Sequence, residues 1–205
     1  MAFTGWPVEA VAFYEGLEIN NTKAYWQAHR TDYERWVAGP MTELLVELAG
    51  DFGTGRIFRP YRDVRFSKDK TPYKLNCAAH LPGGYVSLSA DGLFVGSGLY
   101  MPASDQLQRF RAAVDGEESG SALESLVAVL RKDGYEVGAH ELLKTAPRGY
   151  PKDHPRLELL KHKGIVMSKS WPVAAWLATK KAKDRVVTCL EAARPLNSWL
   201  ELHVG

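Results

Sequence analysis

The spacing of hydrophobic residues changes after the first quarter of the chain, and this change constrains the fold more than any other feature. Residues 1–52 are predicted to be helical. In their clearest stretch, Leu44, Leu45 and Leu48 recur at the spacing of one helix face. From Arg56 onward, apolar and polar residues alternate as they do along a β-strand. A block of helices followed by a block of strands predicts the α+β class.

Signals for helix ends divide the first block into three predicted helices. Pro7 suits the first turn of a helix, and Asn21 is a residue type that caps helices. We expect Asn21 to cap a second helix that runs through Trp36. The pair Gly39 and Pro40 is expected to break that helix and to start the third.

Three β segments are predicted to follow. The first is a strand from Arg56 to Phe66, and the second covers Leu75 to Leu81. The third is a hairpin from Tyr85 to Tyr100, because Asp91 and Gly92 form a favoured type I′ turn between two β-rich runs.

Helix signals return after the hairpin. Ser104 is a predicted N-cap, Ser121 has the spacing of a capping box, and Pro195 is expected to interrupt the last helix. Within the hairpin, Gly96 and Gly98 leave a patch without side chains that another backbone or a ligand could approach.

We therefore predict a single α+β domain over residues 1–205, with a helical N-terminal third. A central, mainly antiparallel sheet contains the hairpin around Asp91 and Gly92, and the helices that follow pack on one side of it.

Composition excludes several classes of protein. The chain has 205 residues, of which 45% are hydrophobic and 24% charged, as in ordinary globular proteins. No apolar run approaches the roughly 20 residues that a membrane span needs, and the N-terminus has no signal-like pattern, so we expect a cytoplasmic protein without a membrane partner. Cys77 and Cys189 are expected to be reduced core thiols. No cofactor or metal site is predicted, because no motif for either is present.

The small net charge of +2 conceals two strongly basic blocks. Residues 56–74 carry a net +5 and residues 144–185 a net +8, whereas residues 1–55, 75–143 and 186–205 carry −5, −5 and −1. Local charge, and not the total, therefore decides which partners the chain can attract.

Residues 59–74 contain the densest chemistry in the chain. Guanidinium groups offer planar donor forks to phosphate or carboxylate, and ammonium groups add point charges. The predicted ligand-binding residues are Arg62, Arg65, Lys68, Lys70, Tyr73, Lys74, Tyr100 and Arg148. Asp63 and Asp69 are the candidates for a catalytic base, but neighbouring cations lower the pKa of a carboxyl group, which favours binding over catalysis. Whether the protein is an enzyme stays open.

The same segment resembles a known family signature. The run from Arg62 to Lys74, with the sequence RDVRFSKDKTPYK, resembles the signature of DUF2461, a family of uncharacterised and mainly bacterial proteins. Further stretches that match the family's layout are Asn20-Asn21, Tyr25-Trp26, Tyr33, Gly98–Pro102, Pro147–Tyr150, Asp153–Pro155, Pro195-Leu196 and Trp199-Leu200. The resemblance implies one domain of unknown function and supplies no reaction.

Three functions stay open from the sequence. The first is binding of a small anionic ligand at residues 59–74. The second is a nucleic-acid module that uses the blocks 56–74 and 144–185, with exposed Tyr61, Tyr73 or Tyr150 stacking on bases, although a pI near 8.5 disfavours it. The third is an interaction or scaffold protein whose basic segment pairs with its own acidic N-terminal helices.

Overall fold

The computed structural model describes residues 2–205, and about half of the chain is helical. The helices are α1 Val8–Ile19, α2 Lys23–Asp32, α3 Gly39–Phe52, α4 Ser104–Asp115, α5 Glu117–Lys132, α6 Leu157–Leu160 and α7 Lys181–His203. A π-helix, Tyr33–Ala38, joins α2 to α3, and a 3-10 helix covers Ala175–Ala178. The strands are β1 Arg56–Ile57, β2 Asn76–Leu81, β3 Gly84–Ser89, β4 Gly92–Leu99, β5 Glu136–Gly138 and β6 Ile165–Pro172.

The six strands form one antiparallel sheet in the order β1-β2-β3-β4-β6-β5, so the α+β prediction is confirmed. The hairpin between β3 and β4 lies where it was predicted, but its turn is not of type I′. That type requires positive φ angles at both central residues, and Asp91 has none. Instead, Ala90 and Asp91 form the turn, and Gly92, with φ 123°, begins β4.

The chain divides into two compact units. The first contains the residues up to Val95 together with Ser170–Thr188, and the second contains Gly96–Lys169 together with Cys189–Gly205. Each unit has its own buried apolar core. Fully buried large side chains include Trp6, Tyr14, Leu17, Met41, Leu44 and Leu88 in the first unit and Phe110 and Leu123 in the second.

Prolines interrupt the helices less than the sequence suggested. Gly39 and Pro40 do not break the chain of helices, because a π-helical turn bridges the position, with the Gly39 N–H donating to the Glu34 carbonyl five residues earlier. The wider turn accommodates a proline, which lacks an N–H and would clash with the carbonyl four residues before it. Pro195 likewise lies inside a continuous α7, so the predicted break there is wrong.

Two predicted helix starts in the second unit shift slightly. Ser104 is the first residue of α4 and Ala103 is its N-cap. Helix α5 begins at Glu117, four residues before the capping-box signal at Ser121. Since the first turn of α5 contains Glu117 and Glu118, acidic side chains at the positive end of the helix dipole favour the earlier start.

In the hairpin patch without side chains, Gly98 allows a close backbone contact. Its φ is 124°, and a Cβ atom built on it would lie 2.4 Å from the carbonyl oxygen of Ile165. The patch therefore admits the backbone of strand β6, and not a ligand, at this residue.

Candidate functional site

The predicted strand from Arg56 to Phe66 ends after two residues, at Ile57, and a narrow ribbon takes its place. The N–H of Arg62 donates to the Pro72 carbonyl at 2.9 Å, and the N–H of Lys74 donates to the Pro60 carbonyl at 2.8 Å. Residues 60–62 and 72–74 thus form a short antiparallel ribbon, with Tyr61 and Tyr73 as its bridge pair. Residues 63–71 project from this ribbon, and we call them the basic loop.

Asn21 attaches the ribbon to the helical part of the first unit. Its amide nitrogen donates to the Tyr73 carbonyl at 3.0 Å, and its amide oxygen accepts from the Tyr73 N–H at 3.1 Å. The prediction that Asn21 caps α2 is therefore wrong, because the cap is Thr22, whose hydroxyl accepts from the Tyr25 N–H at 3.2 Å. Nothing in the sequence connects Asn21 to a residue 52 positions later.

An aromatic stack supports the same side of the ribbon. The ring of Tyr73 lies on that of Trp26, with a centroid distance of 4.4 Å and an angle of 9°. Tyr73 is only 4% exposed, so its predicted role as an exposed stacking residue is wrong, and it anchors the ribbon instead. Tyr61 packs at 5.4 Å from Tyr73 but stays 49% exposed, which leaves part of its ring open to solvent.

Both carboxylates of the basic loop are engaged by arginines. Asp69 accepts hydrogen bonds from the Arg62 guanidinium, from the Thr71 hydroxyl at 3.0 Å and from the Thr71 N–H at 2.9 Å. The Thr71 N–H is the main reason that the pKa of Asp69 falls to about 2, with Arg62 second. Asp63 binds the Arg65 guanidinium through both of its oxygens, at 2.7 and 3.0 Å. This pairing lowers the pKa of Asp63.

These contacts give the two aspartates a structural role. A carboxyl group whose pKa is depressed is a weak base near neutral pH. The loop also closes on itself through Lys70, whose ammonium group donates to the Val64 carbonyl at 2.9 Å, and through the Ser67 N–H, which donates to the same carbonyl at 3.4 Å. The basic loop is therefore organised by its own polar groups before any ligand binds.

Four of the six cations of residues 59–74 take no part in an ion pair within the described chain. Among residues 2–205, no carboxylate forms an ion pair with Arg59, Lys68, Lys70 or Lys74. Lys74 lies over the ring of Phe58 at 5.4 Å, a contact that holds the side chain without neutralising it. The ion pairs that this segment does form lie within it, and none joins it to the acidic residues of the helices in the described part of the chain.

Tyr100 and Arg148, the remaining predicted ligand-binding residues, belong to the second unit. The Tyr100 hydroxyl lies 3.1 Å from Nδ1 of His140, and Arg148 is exposed. Their participation in a common site with residues 59–74 stays a prediction.

His154, which lies between Asp153 and Pro155 in the sequence, has a structural role. Its Nδ1 accepts from the Arg156 N–H at 3.0 Å, and its Nε2 lies 3.0 Å from Asp115. Both ring nitrogens are thus occupied within the second unit. Arg156 is buried beside it and donates to the carbonyls that end α4, including that of Val114 at 2.7 Å.

Sequence reasoning missed two features of the site, the anchor at Asn21 and the exposure of Phe66. The predicted strand would place Phe66 on the same face as Val64, opposite Asp63 and Arg65, but in the structure the Phe66 side chain is 96% exposed. The alternation of apolar and polar residues could not reveal this exposure, because the ribbon that replaces the strand is formed by hydrogen bonds to Pro72 and Lys74, which come later in the chain.

The chain matches one known protein family over most of its length. Residues 9–199 match the model of the family described as conserved hypothetical protein, DUF2461. The match covers most of the 205 residues and includes the ribbon and the basic loop, and the chain belongs to this family. No curated protein and no solved structure gives a significant match.

Within residues 2–205, no helix is long and apolar enough to cross a membrane. In the same residues, no cluster of three histidine, cysteine or carboxylate side chains is arranged to hold a metal ion.

Proposed function

We propose that residues 59–74 bind an anionic ligand that carries phosphate or carboxylate groups. The proposal is supported by the pairing of charges within the segment. Both carboxylates of the segment form ion pairs with Arg62 and Arg65, and its other four cations have no carboxylate partner. A positive site that is already organised loses little conformational entropy when it binds, which favours affinity.

The chemistry of these groups favours binding over catalysis. Arg59 and Lys68 are exposed donors, Lys70 lies at the C-terminal end of the basic loop, and Lys74 lies just beyond that end on the ribbon. The nearest carboxyl groups are committed to arginines, so the segment offers charge and donors but no free base.

The third function left open by the sequence, internal pairing with the acidic helices, receives less support. The partners of Arg62 and Arg65 are Asp69 and Asp63, both from the same segment. The buried thiols of Cys77 and Cys189, which form no disulfide, are typical of the cytoplasmic location that we expect for the protein.

The experiment that tests the proposal measures thermal stabilisation by sulfate, phosphate and inorganic polyphosphate. The test variant is the double substitution Arg59→Gln with Lys68→Gln, which removes two cations without breaking an ion pair. The matched control is Lys181→Gln, an exposed lysine at the start of α7 in the other basic block. We expect the wild type and the control to be stabilised by the anions and the double variant to lose most of that shift.

Two outcomes would count against the proposal. If no anion raises the melting temperature, the segment is not an anion site. If Lys181→Gln loses the shift and the double variant keeps it, the anion binds at the second basic block. Because these charges are exposed, the shift is expected to fall as the salt concentration rises.

A further inference from the structure

Phe66 is the one large apolar side chain of the basic loop that points entirely into solvent, at 96% exposure. We propose that the anionic ligand of residues 59–74 is a single-stranded nucleic acid, whose phosphates meet the cations while an unpaired base stacks on Phe66. This inference rests on the proposed anion site and names the class of its ligand.

The loop holds Phe66 outward through contacts on both sides of it. Before it, Asp63 fixes the Arg65 side chain, and after it the Ser67 N–H donates to the Val64 carbonyl. The guanidinium carbon of Arg65 lies 5.9 Å from the Phe66 ring centroid, toward the edge of the range for a cation-π contact. The ring is therefore presented to solvent by a closed turn.

An exposed phenylalanine beside cations fits a particular kind of ligand. Covering the side chain would remove apolar area from water, which favours binding. In a nucleotide, the flat face of the base lies close to the phosphate, so one ligand can contact both an aromatic ring and a nearby cation. Proteins that bind single strands without sequence preference combine a positive surface with aromatic side chains on which the bases stack. Tyr61, half exposed on the ribbon, supplies a second ring on the same segment.

Alternative ligands use these groups less completely. A small inorganic anion would engage the cations and leave Phe66 in water. In a duplex the base faces are covered by their neighbours, so a side chain on a loop cannot stack on them without unstacking the helix. An anionic membrane could accept one phenylalanine, but stable anchoring requires a larger apolar contribution than a single ring.

The overall pI near 8.5 does not oppose the inference, because it averages a segment of net +5 with segments of net −5. Electrostatic attraction of phosphates depends on the local charge within a screening length, which is about 10 Å at 0.1 M salt.

The test measures fluorescence anisotropy of labelled strands of about 12 nucleotides at about 50 mM salt. Four ligands are compared: a mixed-sequence single strand, an abasic strand of equal length and charge, a duplex, and inorganic polyphosphate as competitor. The variants are Phe66→Ala and Phe66→Leu, with Val46→Ala as the control, since Val46 is also exposed but lies on α3. Vesicles containing phosphatidylserine test the membrane alternative by co-sedimentation.

We expect the wild type to bind the mixed strand more tightly than the abasic strand, by about 5- to 100-fold. Phe66→Ala should remove this difference in affinity without changing competition by polyphosphate. Phe66→Leu should keep little of the difference, and Val46→Ala should have no effect. A protein that binds both strands equally, or prefers the duplex or the vesicles, overturns the inference while leaving the proposed anion site intact. Failure to bind any polyanion rejects both proposals.

Discussion

A single amide side chain, that of Asn21, attaches the ribbon to the helices of the first unit. Its two hydrogen bonds to the Tyr73 backbone are partly shielded from water. Asn21→Ala leaves a backbone donor and an acceptor without these partners, so we expect the free energy of unfolding to fall by about 2 kcal/mol. Urea denaturation measures the change.

The adjacent asparagine provides a matched control for this experiment. Asn20 is exposed and lies at the end of α1, where its hydrogen bonds are made by the backbone: its N–H donates to the Gly16 carbonyl and its carbonyl accepts from the Thr22 N–H. Asn20→Ala is expected to change stability by no more than about 0.5 kcal/mol. Equal losses in the two variants would show that helix ends, and not the contact with Tyr73, account for the effect of Asn21→Ala.

Asp69 makes the order of the basic loop depend on pH. Its folded-state pKa of about 2 is lower than the value of about 3.9 for a free aspartate. Its stabilising effect is therefore complete above about pH 4 and is lost as the pH falls toward about 2. We expect the Thr71 amide resonance, which reports the hydrogen bond to Asp69, to titrate with a midpoint near pH 2.

The substitution Asp69→Asn separates this titration from acid unfolding of the whole chain. It should abolish the transition of the Thr71 resonance, while resonances of the sheet still report global unfolding. A midpoint near pH 4 in the wild type would mean that Asp69 is not held by Thr71 and Arg62 in solution.

Elements whose hydrophobic residues repeat at a regular local spacing could be predicted from the sequence. Elements that form through contacts between residues far apart in the chain could not. Leu44, Leu45 and Leu48 repeat at helix spacing, and α3 buries all three. The ribbon, in contrast, requires Pro60 to meet Lys74 and Asn21 to meet Tyr73, pairings that alternation within a short window cannot encode.

The candidate site shows the same division. The sequence predicted the direction in which the pKa of both aspartates shifts, from the cations that lie close along the chain. It did not predict that the largest contribution at Asp69 comes from the Thr71 N–H. It could not predict which aspartate holds which arginine: Asp69 crosses the base of the loop to Arg62, whereas Asp63 binds Arg65 two residues away.

Strand β4 depends on a glycine that contacts β6. At Gly98, the positive φ and the 2.4 Å approach of the Ile165 carbonyl both oppose a side chain. We expect Gly98→Ala to lower the free energy of unfolding by at least about 2 kcal/mol, since the backbone strain alone is worth about 1 to 3 kcal/mol. Urea denaturation measures the loss.

Gly138 in β5 provides the comparison. A Cβ atom there meets nothing within 4 Å, and its φ is not positive. Gly138→Ala should be tolerated, with a change within about 1 kcal/mol. If both substitutions cost the same, the close approach of the Ile165 carbonyl at Gly98 does not determine the stability of the strand.

At the scale of the whole molecule, three elements have residues in both compact units: β4, β6 and α7. Residues of one strand or helix share a hydrogen-bonded ladder, so breaking it in one unit weakens its continuation in the other. That residues 1–205 behave as one domain is therefore a prediction about cooperativity, and it can be tested with the two cysteines.

Each unit contains one buried thiol, Cys77 in the first and Cys189 in the second. Burial raises the pKa of Cys77 to about 11 and that of Cys189 to about 12. Since the thiolate is the reactive form, both should react with a disulfide reagent at about pH 8 only after the surrounding structure opens. Cys189→Ala leaves a reporter for the first unit, and Cys77→Ala leaves one for the second.

If the chain unfolds as one domain, the labelling rate should rise with urea concentration along the same slope at both sites, because each thiol reacts from the same globally unfolded state. The equilibrium unfolding curve of each variant, followed by circular dichroism, corrects for the stability lost through the substitution. A shallower slope at one site would instead identify a unit that opens alone. The shared strands and helix would then fail to couple the two cores, and the chain would contain two domains.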